Sequence, residues 1–172
     1  MAQTICALRS RTCLTGFRCG VGEIDKFCKT AFNKHSSKYP KYRVRVLYED
    51  DTAIGMYTLS MSNPNENGRV LDKKSVYAGT SVFLYLDHLA VEKDRRDEGL
   101  SYLLMVDLME TLNGAMSTFG RVFAVGLNAA NSDAESFFEK WGFVKVSDST
   151  CPFMVLSRED VIDILDQIEA AA

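Results

Sequence analysis

The stretch Ser81–Tyr102, SVFLYLDHLAVEKDRRDEGLSY, decides the fold of this 172-residue chain. Up to Val91 it is apolar and rich in β-branched and aromatic residues, which predicts a buried strand. The charged run Glu92–Glu98 cannot lie in a core, and Gly99 then opens an apolar run that predicts a helix. The N–H groups of a first helical turn have no partners within the helix and lie at the positive end of its dipole. The junction therefore predicts a site for a pyrophosphate.

The sequence excludes two widespread phosphate-binding motifs, because neither G-x-x-x-x-G-K-(S/T) nor G-x-G-x-x-G occurs in it. The junction instead contains Arg96-Asp97-Glu98-Gly99-Leu100-Ser101. This segment resembles the acetyl-CoA pyrophosphate loop of the GNAT acyltransferases, (R/Q)-x-x-G-x-(G/A), with Ser101 in place of the last small residue. A charged loop in front of a buried helix is the alternative explanation for this segment taken alone.

Two further segments carry the same resemblance. Phe17–Phe27, FRCGVGEIDKF, resembles the opening F-x-(C/S)-G-x-x-x-L-D-x-(F/W)-L of the GNAT branch that holds the TacT-like toxins of bacterial toxin–antitoxin pairs. The segment Asn131–Phe143 is similar to the GNAT signature N-x-x-A-x-x-(F/L)-Y-x-x-x-G-F. Because the three motifs occur in the superfamily's order, the chain is identified as a member of the GNAT superfamily of N-acetyltransferases, resembling its TacT-like branch.

Composition limits the class of protein further. Hydrophobic residues make up 47% of the chain and charged residues 25%, which is typical of one soluble globular domain. We expect this domain to span residues 1–172, with a C-terminal helix from about Ser157. No apolar run reaches the length of a membrane span and no signal peptide is visible, so a cytoplasmic location is expected. The five cysteines form no C-x-x-C pair, which predicts free thiols and no metal site.

The resemblance implies an α/β (α+β) GNAT acyltransferase fold. Its central sheet would be mixed but mostly antiparallel, flanked by helices, and splayed at the fourth and fifth strands. The residues themselves predict strands by alternation at Tyr42–Glu49, by a hairpin signal at Thr52–Met61, and by apolar character in the stretch that ends at Val91 and at Arg121–Leu127. Thr4–Leu8 is the expected first strand, and the segments Val144–Val146 and Pro152–Leu156 precede the last helix. Four helices are predicted. The first includes Ile24–Phe32, and the second runs from Gly99 to Gly120. The third begins at a capping box, Ser132–Glu135, and the fourth begins at Ser157. We expect an irregular crossing at Arg69–Gly79.

The resemblance also implies acetyl-CoA as the acetyl donor and assigns residues to it. Backbone groups of the central strand would hold the donor and polarise its carbonyl; these belong to Leu89, Ala90 and Val91. Backbone N–H groups of the loop would cradle the pyrophosphate; these belong to Asp97, Glu98, Gly99, Leu100, Ser101 and Tyr102. Arg96 would pair with phosphate directly, and Asn131 occupies a position that often contacts the cofactor arm.

Acetyl transfer by direct attack of a primary amine in a ternary complex needs a base for the amine and an acid for the departing thiolate. The resemblance suggests Asp87 as the base, with Tyr85 on the same side of the strand by alternation. The alternative for Asp87 is pairing with a nearby cation, and His88 is expected to be packed on the other side.

Many GNAT enzymes take the acid from a Tyr at the position of Phe138, and a Phe has no proton to give. Three explanations follow. The thiolate leaves unassisted or through water, another residue such as Tyr85 or Cys151 serves, or the protein is catalytically weak and only binds acetyl-CoA.

The acceptor stays open between aminoacyl-tRNA, a protein amine and a small amine. TacT-like toxins acetylate the α-amine of aminoacyl-tRNA and are neutralised by a ribbon-helix-helix antitoxin, so the resemblance implies such a substrate and such a partner. A basic cluster would suit RNA, although a solvated basic face is the alternative and the pI is about 5.4. The cluster contains Lys34, Lys38, Lys41, Arg43 and Arg45. A homodimer is common in the superfamily, but nothing in this sequence requires one.

Two competing hypotheses remain from the residues themselves. The chain could be a non-catalytic binding module that uses its C-terminal helix, or a reactive-thiol enzyme built on Cys151 or Cys19. The apolar face of that helix packs either on the domain or on a partner, and consists of Val161, Ile162, Leu165 and Ile168.

Overall fold

The strands and helices follow the chain in the order that the sequence predicts. The computed structural model describes residues 2–10, 12–35, 42–62, 82–120, 122–146 and 149–171. Within these ranges the elements are β1 (Gln3–Ala7), α1 (Gly22–His35), β2 (Arg43–Glu49), β3 (Thr52–Ser62), β4 (Val82–Val91), α2 (Leu100–Thr118), β5 (Val122–Asn128), α3 (Ser132–Lys140), β6 (Val144–Lys145), β7 (Phe153–Ser157) and α4 (Arg158–Ala171). The predicted irregular crossing at Arg69–Gly79 lies outside the described residues.

The described strands form one sheet in the order β1-β2-β3-β4-β5-β7-β6. Strands β1 to β3 pair antiparallel in sequence, and so do β5 with β7 and β7 with β6. Strands β4 and β5 are parallel, with Val82 opposite Val122 and Tyr85 opposite Gly126. The predicted α/β class with a mixed, mostly antiparallel sheet is confirmed. The predicted splay concerns β4 beyond Tyr85 and stays a prediction.

The chain divides into two compact units. The first contains Met1–Ser60 and Leu86–Asp107, and the second contains Met61–Tyr85 and Leu108–Ala172. Strand β4 and helix α2 therefore each run from one unit into the other. The predicted single domain over residues 1–172 stays a prediction.

The core of the first unit forms where α1 packs on β2. Helical spacing puts Phe27, Cys28 and Ala31 on one face of α1, and all three are buried. Alternation along β2 buries Val44 and Val46 in the same core. The amphipathic pattern of each element thus explains its orientation.

The core of the second unit is built on β5, which is buried along both faces as its continuous apolar run predicts. Gly126 leaves room for the ring of Phe153 on β7, since a Cβ at Gly126 would lie 2.6 Å from that ring. Helix α4 packs on β5 and β7, and Val161 is its fully buried contact residue. The apolar face of α4 therefore packs on its own unit. Ile162, which was expected on the same face, is 39% exposed.

Both caps of the last two helices involve side chains that the sequence singled out. Helix α4 begins with a capping box at the expected start, in which the Asp160 carboxylate accepts from the Ser157 N–H at 3.1 Å and Ser157 Oγ accepts from the Asp160 N–H at 3.2 Å. Helix α3 differs, because its N-cap is Asn131, whose Oδ1 accepts from the Ala134 N–H at 2.9 Å. The expected cap at Ser132 is wrong by one residue, since either residue type caps well and the tertiary structure sets the register.

Candidate active site

The junction between β4 and α2 has the backbone geometry of a ligand-binding loop. A short 3-10 turn, Lys93–Arg95, follows the strand, and helix α2 begins at Leu100. Asp97 and Gly99 have φ values of 69° and 75°, a region that side chains rarely adopt. A Cβ at Gly99 would meet nothing within 4 Å. Gly99 therefore presents its backbone to open space at the start of a 19-residue helix.

Two N–H groups at this helix end are available to a ligand. The N–H groups of Tyr102 and Leu103 both donate to the Gly99 carbonyl, at 3.0 and 3.4 Å. No carbonyl in the described part of the chain accepts from the N–H groups of Leu100 and Ser101. The helix dipole adds positive potential at this point. The structure thus leaves Leu100 and Ser101 as the free helical donors of the predicted cradle, whereas the Tyr102 N–H is already engaged.

The side chains of the charged run point to partners within the protein. Arg95 pairs with Glu49 on β2, with Nη1 2.8 Å from Oε2, and with Glu98, with Nε 2.6 Å from Oε1. The bonds from Arg95, followed by one from Gln3, lower the pKa of Glu49 to about 2. Because Arg95 holds Glu98, that carboxylate is tied to a cation. This pairing is consistent with the prediction that the loop binds its ligand through backbone N–H groups and without the Glu98 side chain.

Arg96, which the sequence assigned to phosphate, makes a contact that the sequence did not reveal. Its Nη2 donates to the Cys19 carbonyl at 2.5 Å, so the motif Phe17–Phe27 lies against the loop. Asp25 of the same motif accepts from the Cys19 N–H at 2.8 Å, and this bond is the main cause of a lowered Asp25 pKa. Burial raises the pKa of the Cys19 thiol, which argues against Cys19 as an activated nucleophile.

The second half of β4 carries the predicted base and the predicted donor-holding residues. The Asp87 carboxylate accepts from Ser60 Oγ on β3 at 2.5 Å. On the next residue, His88 Nδ1 lies 2.7 Å from Thr58 Oγ1, and the ring stacks on Phe27 at 4.3 Å between centroids. His88 is therefore packed, as the alternation of the strand predicts. Further along the strand, Ala90 is buried, and Leu89 and Val91 are half-buried.

Tyr85 and Cys151 come together in the second unit through a residue that the sequence did not single out. The Tyr85 hydroxyl donates to Asn128 Oδ1 at 2.7 Å, and Asn128 Nδ2 donates to the Cys151 carbonyl at 2.9 Å. The second bond fixes which way the amide points, so the Tyr85 proton is directed at Asn128. The only available signal was that Asn128 directly follows the apolar run of a predicted strand.

Phe138 has no hydroxyl to act as the acid at the position where the resemblance expects a Tyr. Its ring is 8% exposed and packs edge-on against Phe137 and Phe143, with centroids 5.1 and 5.4 Å away. Asn131 is exposed and uses its Oδ1 to cap α3, which leaves its amide N–H₂ as the group able to meet a ligand.

Among the described residues, no cluster of His, Cys, Asp or Glu could hold a metal ion. None of the helices in the described ranges has the length and apolar character that crossing a membrane requires.

Comparison with known proteins identifies the family of the chain. Residues 19–153 match the family described as "Acetyltransferase (GNAT) domain", and the chain therefore belongs to the GNAT acetyltransferase family. No curated protein is significantly similar to the chain in sequence.

Solved structures of bacterial toxins share the fold. A tyrosine-to-phenylalanine mutant of the toxin AtaT, bound to the C-terminus of the antitoxin AtaR and acetyl-CoA, has a TM-score of 0.77 at 20% identity, covering 97% of this chain and 100% of that one. The KacTA–DNA complex has a TM-score of 0.75 at 20% identity, with 96% and 99% covered. A crystal structure of a further bacterial toxin has a TM-score of 0.80 at 19% identity, with 96% of each chain covered.

Proposed function

We propose that this GNAT protein moves an acetyl group from acetyl-CoA to a primary amine by direct attack in a ternary complex. The observation that carries the proposal is the open backbone at Gly99, followed by the free N–H groups of Leu100 and Ser101 at the start of α2. Such donors, together with a helix dipole, bind a pyrophosphate. Acetyl-CoA contains one, and it is bound in the AtaT structure described above.

The remaining donor contacts follow from the position of each residue. Backbone groups of Leu89, Ala90 and Val91 bind the pantetheine arm and polarise the thioester carbonyl. The free amide of Asn131 contacts the cofactor. Arg96 keeps one nitrogen on the Cys19 carbonyl and offers its other N–H groups to phosphate, since a guanidinium has five donors.

The chemical step uses Asp87 as the base. Its carboxylate accepts from the Ser60 hydroxyl, which orients it, and it takes a proton from the amine directly or through a water. The thiolate leaves through water or receives its proton from Tyr85, which must first turn its hydroxyl away from Asn128. This requirement places unassisted departure ahead of Tyr85.

The acceptor we favour is the α-amine of aminoacyl-tRNA, because toxins of the AtaT and KacT type share the fold over almost the whole chain. Of the basic cluster, Arg45 is unavailable to RNA because its guanidinium is paired with Asp107 on α2. Arg43 is exposed and can meet phosphate. A cytoplasmic location, a ribbon-helix-helix antitoxin partner and a homodimer belong to the same proposal. The AtaT structure, in which the toxin is bound to the C-terminus of the antitoxin AtaR, supports an antitoxin partner.

Phe138 favours a second candidate function, that of an acetyl-CoA-binding protein with weak catalysis. A buried phenyl ring cannot protonate the thiolate. The two candidates share the donor site and differ in whether CoA is released when an amine is present.

Calorimetric titration with acetyl-CoA tests the donor site. Gly99→Asp adds a charge beside the pyrophosphate and should weaken binding by roughly 100-fold. Gly99→Asn has the same shape without the charge, and both residue types tolerate positive φ; it should weaken binding by only about tenfold. Gly114→Asp places the same charge on an exposed site of α2 and should leave the affinity unchanged. Equal effects from all three variants would contradict the assignment.

Transfer of labelled acetyl groups to charged tRNA, to a lysine peptide and to a polyamine then identifies the acceptor. Arg43→Ala should raise the KM for charged tRNA and leave the KM for a small amine unchanged. Binding of acetyl-CoA without transfer to any acceptor would favour the second candidate.

A further inference from the structure

We propose that Asp25 is a positioning residue for acetyl-CoA, acting on the pyrophosphate loop through the Cys19–Gly20 turn and Arg96. The inference rests on the proposed function, because it takes that loop as the donor site. Asp25 touches neither the loop nor the ligand; its effect passes through a chain of hydrogen bonds within the first unit.

The first link joins Asp25 to the turn. Its Oδ1 accepts from the Cys19 N–H at 2.8 Å and from the Cys19 thiol at 3.2 Å. Asp25 itself is fixed by α1, where its N–H donates to the Val21 carbonyl at 2.9 Å. The carboxylate therefore anchors the turn to the start of a helix.

The second link joins the turn to the loop. The Cys19 carbonyl, on the residue whose N–H Asp25 holds, accepts from Arg96 Nη2 at 2.5 Å. Two more bonds run alongside: the Lys93 N–H donates to the Arg18 carbonyl at 2.7 Å, and the Arg18 N–H donates to Glu92 Oε2 at 2.9 Å. The turn thus contacts the loop from its first charged residue to the Arg of the motif.

The backbone of the turn favours a glycine, because Gly20 has a φ of 84°, which residues with a side chain rarely adopt. A Cβ there would lie at ordinary van der Waals distances from two loop side chains, 3.6 Å from Lys93 Cδ and 3.8 Å from Arg96 Nη2. The turn therefore packs against the loop as well as bonding to it.

The third link is the position of Arg96 beside the left-handed part of the loop. Asp97 follows Arg96 directly and has a φ of 69°, a left-handed conformation that is uncommon outside glycine, although Asp adopts it more readily than most residues. Gly99, two residues on, has a φ of 75° and precedes the N–H donors of Leu100 and Ser101. Arg96, held by the turn, fixes the chain immediately before these residues. Releasing Arg96 gives the loop more freedom, and the donors lose the preorganisation on which tight binding depends.

The test compares a ligand that contains the pyrophosphate with one that lacks it. CoA affinity is measured by calorimetry, and S-acetylpantetheine affinity by protein-observed NMR titration. Asp25→Ala should weaken CoA binding about tenfold and leave S-acetylpantetheine binding unchanged. Asp25→Asn keeps an Oδ1 acceptor for the Cys19 N–H and should retain most of the CoA affinity. Glu23→Ala, which removes an exposed carboxylate from the same helical turn, is the matched control.

A cycle with Arg96 isolates the route. If Asp25 acts through Arg96, the Asp25→Ala/Arg96→Ala double variant should bind CoA no more weakly than Arg96→Ala alone. If Asp25→Ala does not fold, Asp25→Ser, whose hydroxyl is too short to reach the turn, replaces it.

Three outcomes would overturn the inference. Unchanged CoA affinity in Asp25→Ala, an equal loss for both ligands, or full additivity with Arg96→Ala would each do so. Absence of CoA binding by the native protein would overturn the proposed function and this inference with it, and is distinguishable because it appears before any substitution.

Discussion

Replacing Asp107 by Asn should destabilise the protein through a single charge. Asp107 lies on α2 and forms a two-pronged ion pair with Arg45 on β2, while the Tyr57 hydroxyl on β3 donates to Asp107 Oδ2 at 2.6 Å. The side chains of Arg45 and Asp107 are only 20% and 14% exposed. The bond to Asp107 raises the pKa of Arg45. An arginine is protonated at neutral pH even without a partner, so the guanidinium stays charged when Asp107 becomes Asn.

The magnitude follows from this geometry. Removing one partner of a buried ion pair typically costs 3–5 kcal/mol, but Asn keeps an oxygen for Tyr57 or Arg45, so we expect about 2 kcal/mol. For a protein of this size each kcal/mol lowers Tm by about 2–4 °C, which predicts a fall of about 4–8 °C. Replacing both charges, Arg45→Met with Asp107→Leu, should cost less than Asp107→Asn alone because no charge is left buried without a partner.

Urea unfolding and thermal unfolding, each followed by circular dichroism, measure both quantities. Glu110→Gln removes an exposed carboxylate from the same helix and should change the free energy of unfolding by less than about 0.5 kcal/mol. If Asp107→Asn changes the free energy of unfolding no more than Glu110→Gln does, the Arg45–Asp107 pair stabilises the protein no more than a surface ion pair, and the prediction is wrong. If the double variant has a lower free energy of unfolding than Asp107→Asn, the argument from the unpaired buried charge is refuted.

Two further predictions concern the chemistry and the pH response. Phe138→Tyr should raise the rate of acetyl-CoA turnover with an amine by about tenfold or more, since a general acid supplies this much, whereas Phe137→Tyr on the neighbouring face should not; equal rates for native and Phe138→Tyr protein would show that the thiolate needs no acid there. The bond to Arg95 lowers the pKa of Glu49 to about 2 from an ordinary value near 4.5, so its contribution to stability is present above pH 4.5 and is lost as the pH falls to 2. The difference in unfolding free energy between native protein and Glu49→Gln should therefore shrink over that interval, and a difference that does not vary with pH would contradict the assignment.

The elements of the fold were predictable because their information is local. Alternation placed β2 and β3 within one residue of their observed bounds, and helical spacing found the buried face of α1. Local patterns were insufficient at Asn131 and Ser132, which are equally good caps, so tertiary contacts chose between them. Spacing also shows which residues share a face but not how far each is buried, and Ile162 on the apolar face of α4 is 39% exposed.

The candidate site also has a part that was predictable from local sequence and a part that was not. The loop around Gly99 is a continuous stretch whose charge and glycine could be read directly. The contacts between distant residues of the site could not be predicted from the sequence. Arg96 bonds to Cys19 across 77 positions of sequence, and Tyr85 bonds to Asn128 across 43. Periodicity carries no information about such pairs, and no residue type at either end announces its partner.

The division of β4 between two compact units has a consequence for synthesis on the ribosome. Strands β1 to β3 emerge first, yet Thr58 and Ser60 find their partners, His88 and Asp87, only after residues 61–85 have also been made. At about 5–20 residues per second, that stretch alone takes roughly 1–5 s. During this interval the nascent hairpin has an unpaired edge, a hazard for aggregation. The order of translation therefore makes β3 the strand that most needs shielding before the polypeptide is complete.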